Sequence, residues 1–417
     1  MLHCAGAGRI KCKGTSRTLA RMRVDQFVNS PTGVLVPVSG TSPRWGSWEH
    51  VAFVPHALPG VALSLSAETY GAVAQARAAL AALDSTAVRL PNPSLLRRPA
   101  LRQEAQSTSA LEGTYAPLED VLAADVDEKQ PDLELREVLN YVRAADHAFA
   151  WLADGRPLTV GLLVDLQARL VAGTAADDGH AGRLRDIQVA IGAGVGAHVR
   201  ESRFVPRPPG PAMEAQVRDL VDWMSTNHGR SIDPVAAAGM AHYQFETLHP
   251  FNDGNGRIGR LLVVLDLLRR GVLTEPTLTI SPWFEARRAD YYDSLLAVSA
   301  RGDWDRWLSF FADGLSASAR SALERLTSLL AVQEELKTRI RASGLRANSA
   351  VRLIDFVVGQ PIFTVRQVER HLELTYARAN GLVGQLVTIG VLRQYDAARY
   401  GRRFTAPEIL AVLLRTT

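Results

Sequence analysis

Cysteine is scarce in this 417-residue sequence, and the scarcity limits the chemistry open to it. The two cysteines, Cys4 and Cys12, both lie within the first dozen residues. The rest of the chain can therefore form no disulfide and no thiolate metal site. That usage is typical of proteins in a reducing compartment.

Long apolar runs and a strong net charge are also absent. No uninterrupted stretch approaches the ~18 apolar residues that cross a bilayer, and even the segment 261–268 is broken by Asp266. The formal net charge of +4 is too small to indicate a polyanionic partner by itself. With 47% hydrophobic residues, the chain can bury two or three cores. We therefore expect a soluble, cytoplasmic protein without membrane contact.

The first segment, residues 1–23, carries basic residues and no acid. Such a composition can be mistaken for a transit peptide. We instead expect residues 1–23 to be a disordered extension, with Met22 as the physiological start.

The most informative segment runs from His249 to Arg260, HPFNDGNGRIGR. Apolar residues recur at helical spacing over 234–248, so a helix should deliver His249 at its C-terminal end. A second apolar helix is predicted over 258–270, which puts residues 253–256 at its N-terminus. Free amides and the positive end of the helix dipole meet there, so an anion should bind.

The side chains of this segment suit phosphoryl or nucleotidyl transfer. Arg257 and Arg260 are three apart at the start of the second helix, where guanidinium groups can bind phosphate oxygens in bidentate fashion. Asp253 offers a hard oxygen ligand for Mg²⁺, and His249 can act as general base at neutral pH. An ordinary structural loop is the alternative, because Asn, Asp and Gly are common in turns. The number of demanding positions favours the functional interpretation.

The segment resembles the signature of the Fic (fido) family, HxFx(D/E)GNGRxxR, and fills every fixed position. The resemblance implies a protein adenylyltransferase (AMPylase), which transfers AMP from ATP to a Ser, Thr or Tyr hydroxyl of a protein. It also implies that His249 takes the hydroxyl proton and that Asp253 holds Mg²⁺. The residues expected to bind ATP are Gly254, Asn255, Gly256, Arg257, Ile258, Gly259 and Arg260.

Two further positions concern the nucleotide. The related Doc branch, which phosphorylates instead, carries a lysine where this chain has Gly256, so Gly256 favours AMP transfer. Tyr291 and Tyr292 lie on a predicted helix over 286–297, and one of them could line an adenine pocket. By its position after the motif we prefer Tyr292, with a half-buried core role as the alternative.

The segment Thr108 to Gly113 is similar to the inhibitory (S/T)xxxE(G/N) motif of Fic proteins whose inhibitory segment lies on an N-terminal helix. Residues 101–111 are predicted to be helical, with Glu112 near the helix end. A Glu112 carboxylate paired with Arg260 would remove a phosphate ligand and repel the γ-phosphate of ATP. Two alternatives stay open: an ordinary helix end capped by Gly113, and removal of AMP with Glu112 positioning a water.

Residues 183–209 predict a β-hairpin, because the β-rich stretches IQVAI and SRFVP flank a glycine-containing loop. The hairpin resembles the Fic flap, whose edge binds the target polypeptide by strand addition. The protein substrate, which includes the chain itself in auto-AMPylation, is expected to dock there. A small structural hairpin is the alternative.

The C-terminal region, residues 346–417, predicts a winged-helix domain of three helices and a hairpin. The predicted helices cover 349–358, 365–372 and 375–390. The residues that could contact DNA are Tyr376, Arg378, Asn380 and Gln385 in the major groove and the wing 399–403 on phosphates. Docking of a protein target, or packing on the bundle, is the alternative, because a fold does not fix a function.

The predicted fold is therefore mainly α, with a Fic-type helical bundle, a small β-hairpin flap and a C-terminal winged-helix domain. Residues 24–59, rich in proline, glycine and serine, are expected to be irregular. The predicted domains are the extension (1–23), an N-terminal helical region with the inhibitory motif (24–130), the catalytic core (131–343) and the winged-helix domain (346–417). Two functions stay open: an autoinhibited AMPylase, and a DNA-binding regulator whose core senses nucleotide. A homodimer is expected from family likeness alone.

Overall fold

Most of the described chain is helical, so the mainly α prediction is confirmed. The computed structural model describes residues 22–42, 44–88, 94–124, 130–192, 198–228, 231–345, 348–396 and 401–415. Residues 1–21 of the basic extension lie outside these ranges. Met22 is buried, and its N–H donates to the Ser202 carbonyl at 2.7 Å, so the expected disorder does not reach it.

The described ranges contain fifteen α-helices and five β-strands. The helices are α1 (Ala67–Val88), α2 (Ser94–Leu111), α3 (Leu118–Ala123), α4 (Leu133–Ala153), α5 (Val160–Val171), α6 (Pro211–Ser225), α7 (Pro234–Leu248), α8 (Asn255–Arg269), α9 (Ser281–Ala286), α10 (Arg288–Arg301), α11 (Trp304–Ala342), α12 (Asn348–Gly359), α13 (Val365–Leu372), α14 (Tyr376–Thr388) and α15 (Pro407–Leu414). The strands are β1 (Gly33–Ser42), β2 (Gly46–Pro55), β3 (Ile362–Thr364), β4 (Arg393–Gln394) and β5 (Arg403–Thr405). None of these helices is long and apolar enough to cross a membrane.

Short polar side chains begin several of the bundle helices, as helix capping requires. The Asp132 carboxylate accepts from Leu135 N–H at the start of α4. The Asp233 carboxylate accepts from Val235 N–H at the start of α7, which also has proline in its first turn. The predicted bounds of α7, 234–248, are confirmed.

The expectation that residues 24–59 are irregular is wrong. They contain the antiparallel hairpin β1–β2, in which Val34 pairs with Val54 and Val38 with His50. Gly46, with φ +70°, opens β2 directly after the turn. Alternating exposure along β1 shows why the hairpin forms: its β-branched residues fit a half-buried strand and outweigh the proline and glycine content.

The two central helices, α7 and α8, are buried almost all round. They are rich in apolar and small residues on every face, which is typical of a helix in the middle of a bundle. Their side chains join two large apolar clusters, one shared with α1 and α11 and the other with α4 and α5. The turn between α7 and α8 is therefore held from both sides by packed helices.

The C-terminal elements follow the order α12, β3, α13, α14, β4, β5, and their sheet has the strand order β3–β5–β4. This order includes the three helices and the hairpin strands that the sequence predicts, while the winged-helix assignment stays a prediction. The region packs on the bundle, one of the alternatives above. Arg98 of α2 donates to Gln360 at 3.3 Å, and the Tyr395 hydroxyl donates to Glu119 of α3 at 3.2 Å.

Candidate active site

His249 ends α7 in a left-handed backbone conformation, with φ 48° and ψ 61°. Its N–H still donates to the Phe245 carbonyl at 2.9 Å, and its Nδ1 lies 3.3 Å from the Glu246 carbonyl. Because a carbonyl only accepts, Nδ1 carries the hydrogen and Nε2 is left as an acceptor. Burial, and after it the charge of Arg185, lowers the pKa of His249 to about 4. The imidazole is therefore neutral at physiological pH.

The turn after His249 is closed by Asn255. Its Oδ1 accepts from Phe251 N–H at 2.9 Å, and its Nδ2 donates to the Phe251 carbonyl at 2.7 Å. Gly254 precedes the helix with φ +86°, a conformation that favours glycine. The side chain of Asn255 thus shapes the turn and is not available to a nucleotide.

Helix α8 begins at Asn255, three residues before the predicted start at residue 258. Its first internal bond runs from Ile258 N–H to the Gly254 carbonyl at 3.0 Å. The N–H groups of Asn255, Gly256 and Arg257 therefore have no partner within the helix. They form the anion-binding end that the glycine-rich segment predicts.

Arg257 is paired with acids of the core. Its side chain is 1% exposed, and it donates to Glu137 of α4 at 2.5 Å and to Asp253 at 3.1 Å. Asp253, the predicted magnesium ligand, therefore lies beside a guanidinium at the start of α8. Glu137 was not anticipated, because nothing in the sequence of α4 distinguishes it from the other acids on that helix.

Arg260 is held by the segment that resembles the inhibitory motif. Its Nε donates to the Thr108 hydroxyl at 2.7 Å, and its Nη2 donates to the Thr108 carbonyl at 3.0 Å and to Glu112 at 2.8 Å. Glu112 directly follows the last residue of α2, and Gly113 after it takes a left-handed conformation with φ +93°. Residues 148 positions apart in the chain thus form the ion pair that the resemblance implies.

The Glu112 carboxylate lies directly over Gly256. A Cβ at Gly256 would overlap this carboxylate and stand 2.9 Å from Arg260 Nη1, so a side chain at this position would displace the Glu112 carboxylate. Burial raises the pKa of Glu112, but the charge of Arg260 lowers it further, and the net direction is down. An ionised carboxylate therefore lies over Gly256, at the helix end where the sequence predicts bound phosphate.

Three other residues predicted to bind the nucleotide lie in different surroundings. Ile258 packs in the core, and Gly259 faces the Glu246 carboxyl, which a Cβ there would overlap. Tyr292 is partly buried, with the Arg288 guanidinium 5.9 Å from its ring centre. Tyr291 is fully buried and bonded to His242 at 2.7 Å, so Tyr292 is the more accessible of the two tyrosines.

Glu246 is a partly buried acid that no pattern in the sequence singles out. Burial raises its pKa to about 8, although Arg260 lowers it and Glu112 raises it again. Its Oε1 has no hydrogen-bond partner among the described residues. A second carboxyl group, neutral at physiological pH, therefore lies close to Arg260.

The predicted hairpin over 183–209 is present as one antiparallel bridge. Ile191 pairs with Phe204, and the Ile191 N–H donates to the Phe204 carbonyl at 2.8 Å. Residues 193–197 of the connecting loop lie outside the described ranges. Phe53 of β2 donates to the Val205 carbonyl at 2.9 Å, so the β1–β2 hairpin continues this layer on its other side.

Comparisons with known proteins match the segments that form this site. Residues 70–150 match the profile described as Fic/DOC family N-terminal, and residues 157–267 match that of the Fic/DOC family. The fold and site define a mainly helical protein built on a Fic core. The two matched segments are those of the Fic/DOC family, and the resemblance carried by residues 249–260, which lie in the second segment, is confirmed.

Individual relatives are similar over part of their length. A Fic family protein from Desulfovibrio desulfuricans G20 shares the fold, with a TM-score of 0.53 and 21% identity over 82% of this chain and 97% of its own. Protein adenylyltransferase fic-1 of Caenorhabditis elegans is 38% identical over 143 residues, which cover 34% of this chain and 25% of that protein. Protein adenylyltransferase Fic of Drosophila willistoni is 30% identical over 211 residues, 50% of this chain and 37% of that protein. This chain thus spans well under half the length of these curated relatives.

Proposed function

We propose that this chain is an autoinhibited protein AMPylase, which transfers AMP from ATP to a Ser, Thr or Tyr hydroxyl of a protein. The observation that carries the proposal is the neutral imidazole of His249 at the turn that leads to the first amides of α8, which have no partner within the helix. Relatives named protein adenylyltransferases support this class of reaction.

The reaction follows from the chemistry of these groups. The phosphates of ATP bind the amides of residues 255–257 and the guanidinium groups of Arg257 and Arg260. His249 Nε2 takes the proton of the target hydroxyl, whose oxygen bonds to the α-phosphorus. The bond from the α-phosphorus to its bridging oxygen breaks, and pyrophosphate leaves with the electron pair.

Asp253 is proposed to hold Mg²⁺ together with the ATP phosphates. The described residues contain no group of three or more His, Cys, Asp or Glu that could hold a metal. A single carboxylate nevertheless fits this ion, because Mg²⁺ keeps several waters and takes one or two carboxylates beside phosphates. When bound, the ion neutralises charge on the phosphates.

Inhibition is proposed to come from the Glu112 carboxylate. It uses one donor of Arg260 at 2.8 Å and lies over Gly256. A phosphate group at this point would lack that donor of Arg260, and the like charge of the Glu112 carboxylate would repel it. ATP can then bind only in a nonproductive pose until Glu112 moves.

The target polypeptide is proposed to dock along residues 187–192. The far side of the hairpin is already paired with β2 through Phe53, which leaves this segment as the edge for an added strand. Strand addition uses backbone hydrogen bonds, so it tolerates many target sequences, the chain itself included.

Labelled ATP tests the proposal directly. The full chain, Glu112→Gly and the double variant Glu112→Gly with His249→Ala are each incubated with Mg²⁺ and ATP labelled on the α-phosphate. We expect strong covalent label on the single variant, weak label on the wild type and none on the double variant. No label on Glu112→Gly, with any protein added, would contradict the proposal.

Removal of AMP is a second candidate function, favoured by the ionised Glu112 at the edge of the site, where its side chain is 25% exposed. A carboxylate in that place can orient a water. Wild type should then release AMP from protein that the Glu112→Gly variant has labelled, and Glu112→Gly itself should not.

DNA binding by residues 348–415 is a third candidate. Tyr376 is 47% exposed, and Arg378 and Gln385 are exposed on the opposite face of α14. Asn380 instead accepts from Arg402 at 3.0 Å, and residues 397–400 of the expected wing lie outside the described ranges. Duplex titrations at two salt concentrations test this role: affinity that falls steeply with salt and drops in Arg378→Ala supports it.

A further inference from the structure

Arg185 is a buried cation between α5 and the flap. Its side chain is among the largest that are fully buried, with 2% of its surface exposed. Its guanidinium donates only to backbone carbonyls among the described residues. These are His249 at 2.8 Å, Arg207 at 2.6 Å, Ile187 at 3.2 Å and Leu248 at 3.4 Å.

Two of these carbonyls belong to the end of α7. Leu248 and His249 cannot find helical partners for their carbonyls, because Pro250 and the left-handed turn end the helix. A non-glycine residue in the left-handed region costs about 1–3 kcal/mol and persists only where its surroundings hold it. Arg185 supplies that hold through its side chain, and its own N–H donates to the Pro250 carbonyl at 2.9 Å.

The other two carbonyls belong to the two stems of the flap. Ile187 begins the first stretch, and Arg207 directly follows the second. Gln188 also connects the two stretches of the flap, because its side-chain amide donates to the Pro206 carbonyl at 2.8 Å. One guanidinium therefore connects both sides of the flap to the backbone of the proposed general base.

We propose that Arg185 is a positioning residue that fixes the His249 imidazole relative to the hydroxyl of a polypeptide docked on the flap. This inference rests on the proposed AMP transfer. A general base must approach within about 2.6–3.2 Å of the atom that carries the proton. The base and the docking edge are on separate segments of chain, so their spacing needs a rigid connection.

The test uses full-length protein with Glu112→Gly as the parent, to which Arg185→Gln or Arg185→Lys is added. Maximal auto-labelling rate and ATP affinity are measured separately for each. We expect Arg185→Gln to lower the maximal rate about 100-fold, as for a displacement of about 1 Å at the reacting atoms. ATP affinity should stay the same, because the amides of α8, Arg257 and Arg260 are untouched.

Arg185→Lys should label at an intermediate rate, because an ammonium group keeps the charge but cannot reach four carbonyls. Arg185→Lys also tests the proposal if Arg185→Gln does not fold. Arg270→Gln is the control, since Arg270 is a partly buried guanidinium that donates to a helix-end carbonyl, that of Met224 at 3.3 Å, besides its ion pair with Asp266 at 2.7 Å. It lies at the far end of α8, about 20 Å from the turn by helix rise. It should lower stability without lowering the rate.

Unchanged labelling in both Arg185 variants would overturn the inference. So would a loss of ATP affinity that parallels the loss of rate, because that pattern indicates general damage to the site. Absence of label in the Glu112→Gly parent is a different result, which contradicts the proposed function and not the role of Arg185.

Discussion

Arg257 and Arg260 are three residues apart on α8 and equally buried, yet they are held by different parts of the molecule. The partners of Arg257 are Glu137 of the core helix α4 and Asp253 of its own turn. The partners of Arg260 all come from Thr108 and Glu112 of the N-terminal region. One guanidinium thus belongs to a preformed site, and the other is occupied by a separate segment.

The difference has a physical reason. A buried charge is stable only when it is paired and hydrogen-bonded, so neither arginine can be left alone. Arg257 has permanent acids for that purpose. Arg260 needs a replaceable anion, and the Glu112 carboxylate can provide the charge that a phosphate of ATP provides in the proposed active state.

Neutralising each acid in turn should have opposite effects on activity. Glu112→Gln should raise labelling about tenfold or more, because a charge-assisted bond to Arg260 worth about 1.5–3 kcal/mol is weakened. Glu137→Gln should lower labelling, because Arg257 then relies on Asp253 and draws that carboxylate away from the proposed Mg²⁺. Initial labelling rates at saturating ATP measure both, and a change of the same sign in the two variants would break the comparison.

The same pair of variants should differ in stability. Glu137→Gln should lower the free energy of unfolding by about 2 kcal/mol, because it leaves a buried guanidinium with one acid fewer. Glu112→Gln should cost less, since the Glu112 side chain is 25% exposed against 15% for Glu137. Urea unfolding of both variants measures the difference, and equal losses would show that the two arginines are held alike.

Thr108→Val sharpens the comparison on the side of Arg260. The variant removes the hydroxyl that accepts from Arg260 Nε at 2.7 Å and keeps the backbone carbonyl bond. Labelling should rise about threefold, less than with Glu112→Gln, because an uncharged acceptor is lost. Thr108→Ser is the control, since it keeps the hydroxyl and should label like wild type.

Glu246→Gln should change the pH dependence of stability. Burial raises the pKa of Glu246 from 4.5 to about 8, so between these values the folded protein keeps a proton that the unfolded chain releases. The stability that this proton provides is complete below pH 4.5 and is lost as the pH rises through 8. The melting temperature of the glutamine variant should therefore fall less than that of wild type from pH 5 to 8.5. An identical fall in the two proteins would contradict the buried, protonated state.

Much of the fold could be predicted from periodicity, and the reasons for the failures are local. The bounds of α7 match the prediction, because its apolar repeat and its capping Asp233 both mark its start. Helix α8 begins three residues early, since Gly254 starts it in a conformation that apolar spacing does not reveal. The six-residue helices α3 and α9 are too short for a period to appear.

The candidate site likewise contains residues that the sequence predicts and residues that it does not. The sequence names His249, Asp253 and the glycines, because their residue types and spacing are dictated by chemistry. It gives no sign of Glu137, Arg185 or Glu246, which look like ordinary charged residues until the helices pack. Their burial, and with it their pairing, depends on contacts between distant segments.

By itself, the sequence determined the glycine-rich turn with its flanking helices, because local spacing and backbone preference are encoded within a dozen residues. Only the tertiary structure decided which acid meets which arginine, and that a single guanidinium joins the flap to His249. Pairing of buried charges depends on distance and desolvation, and both are set when segments far apart in the chain come together.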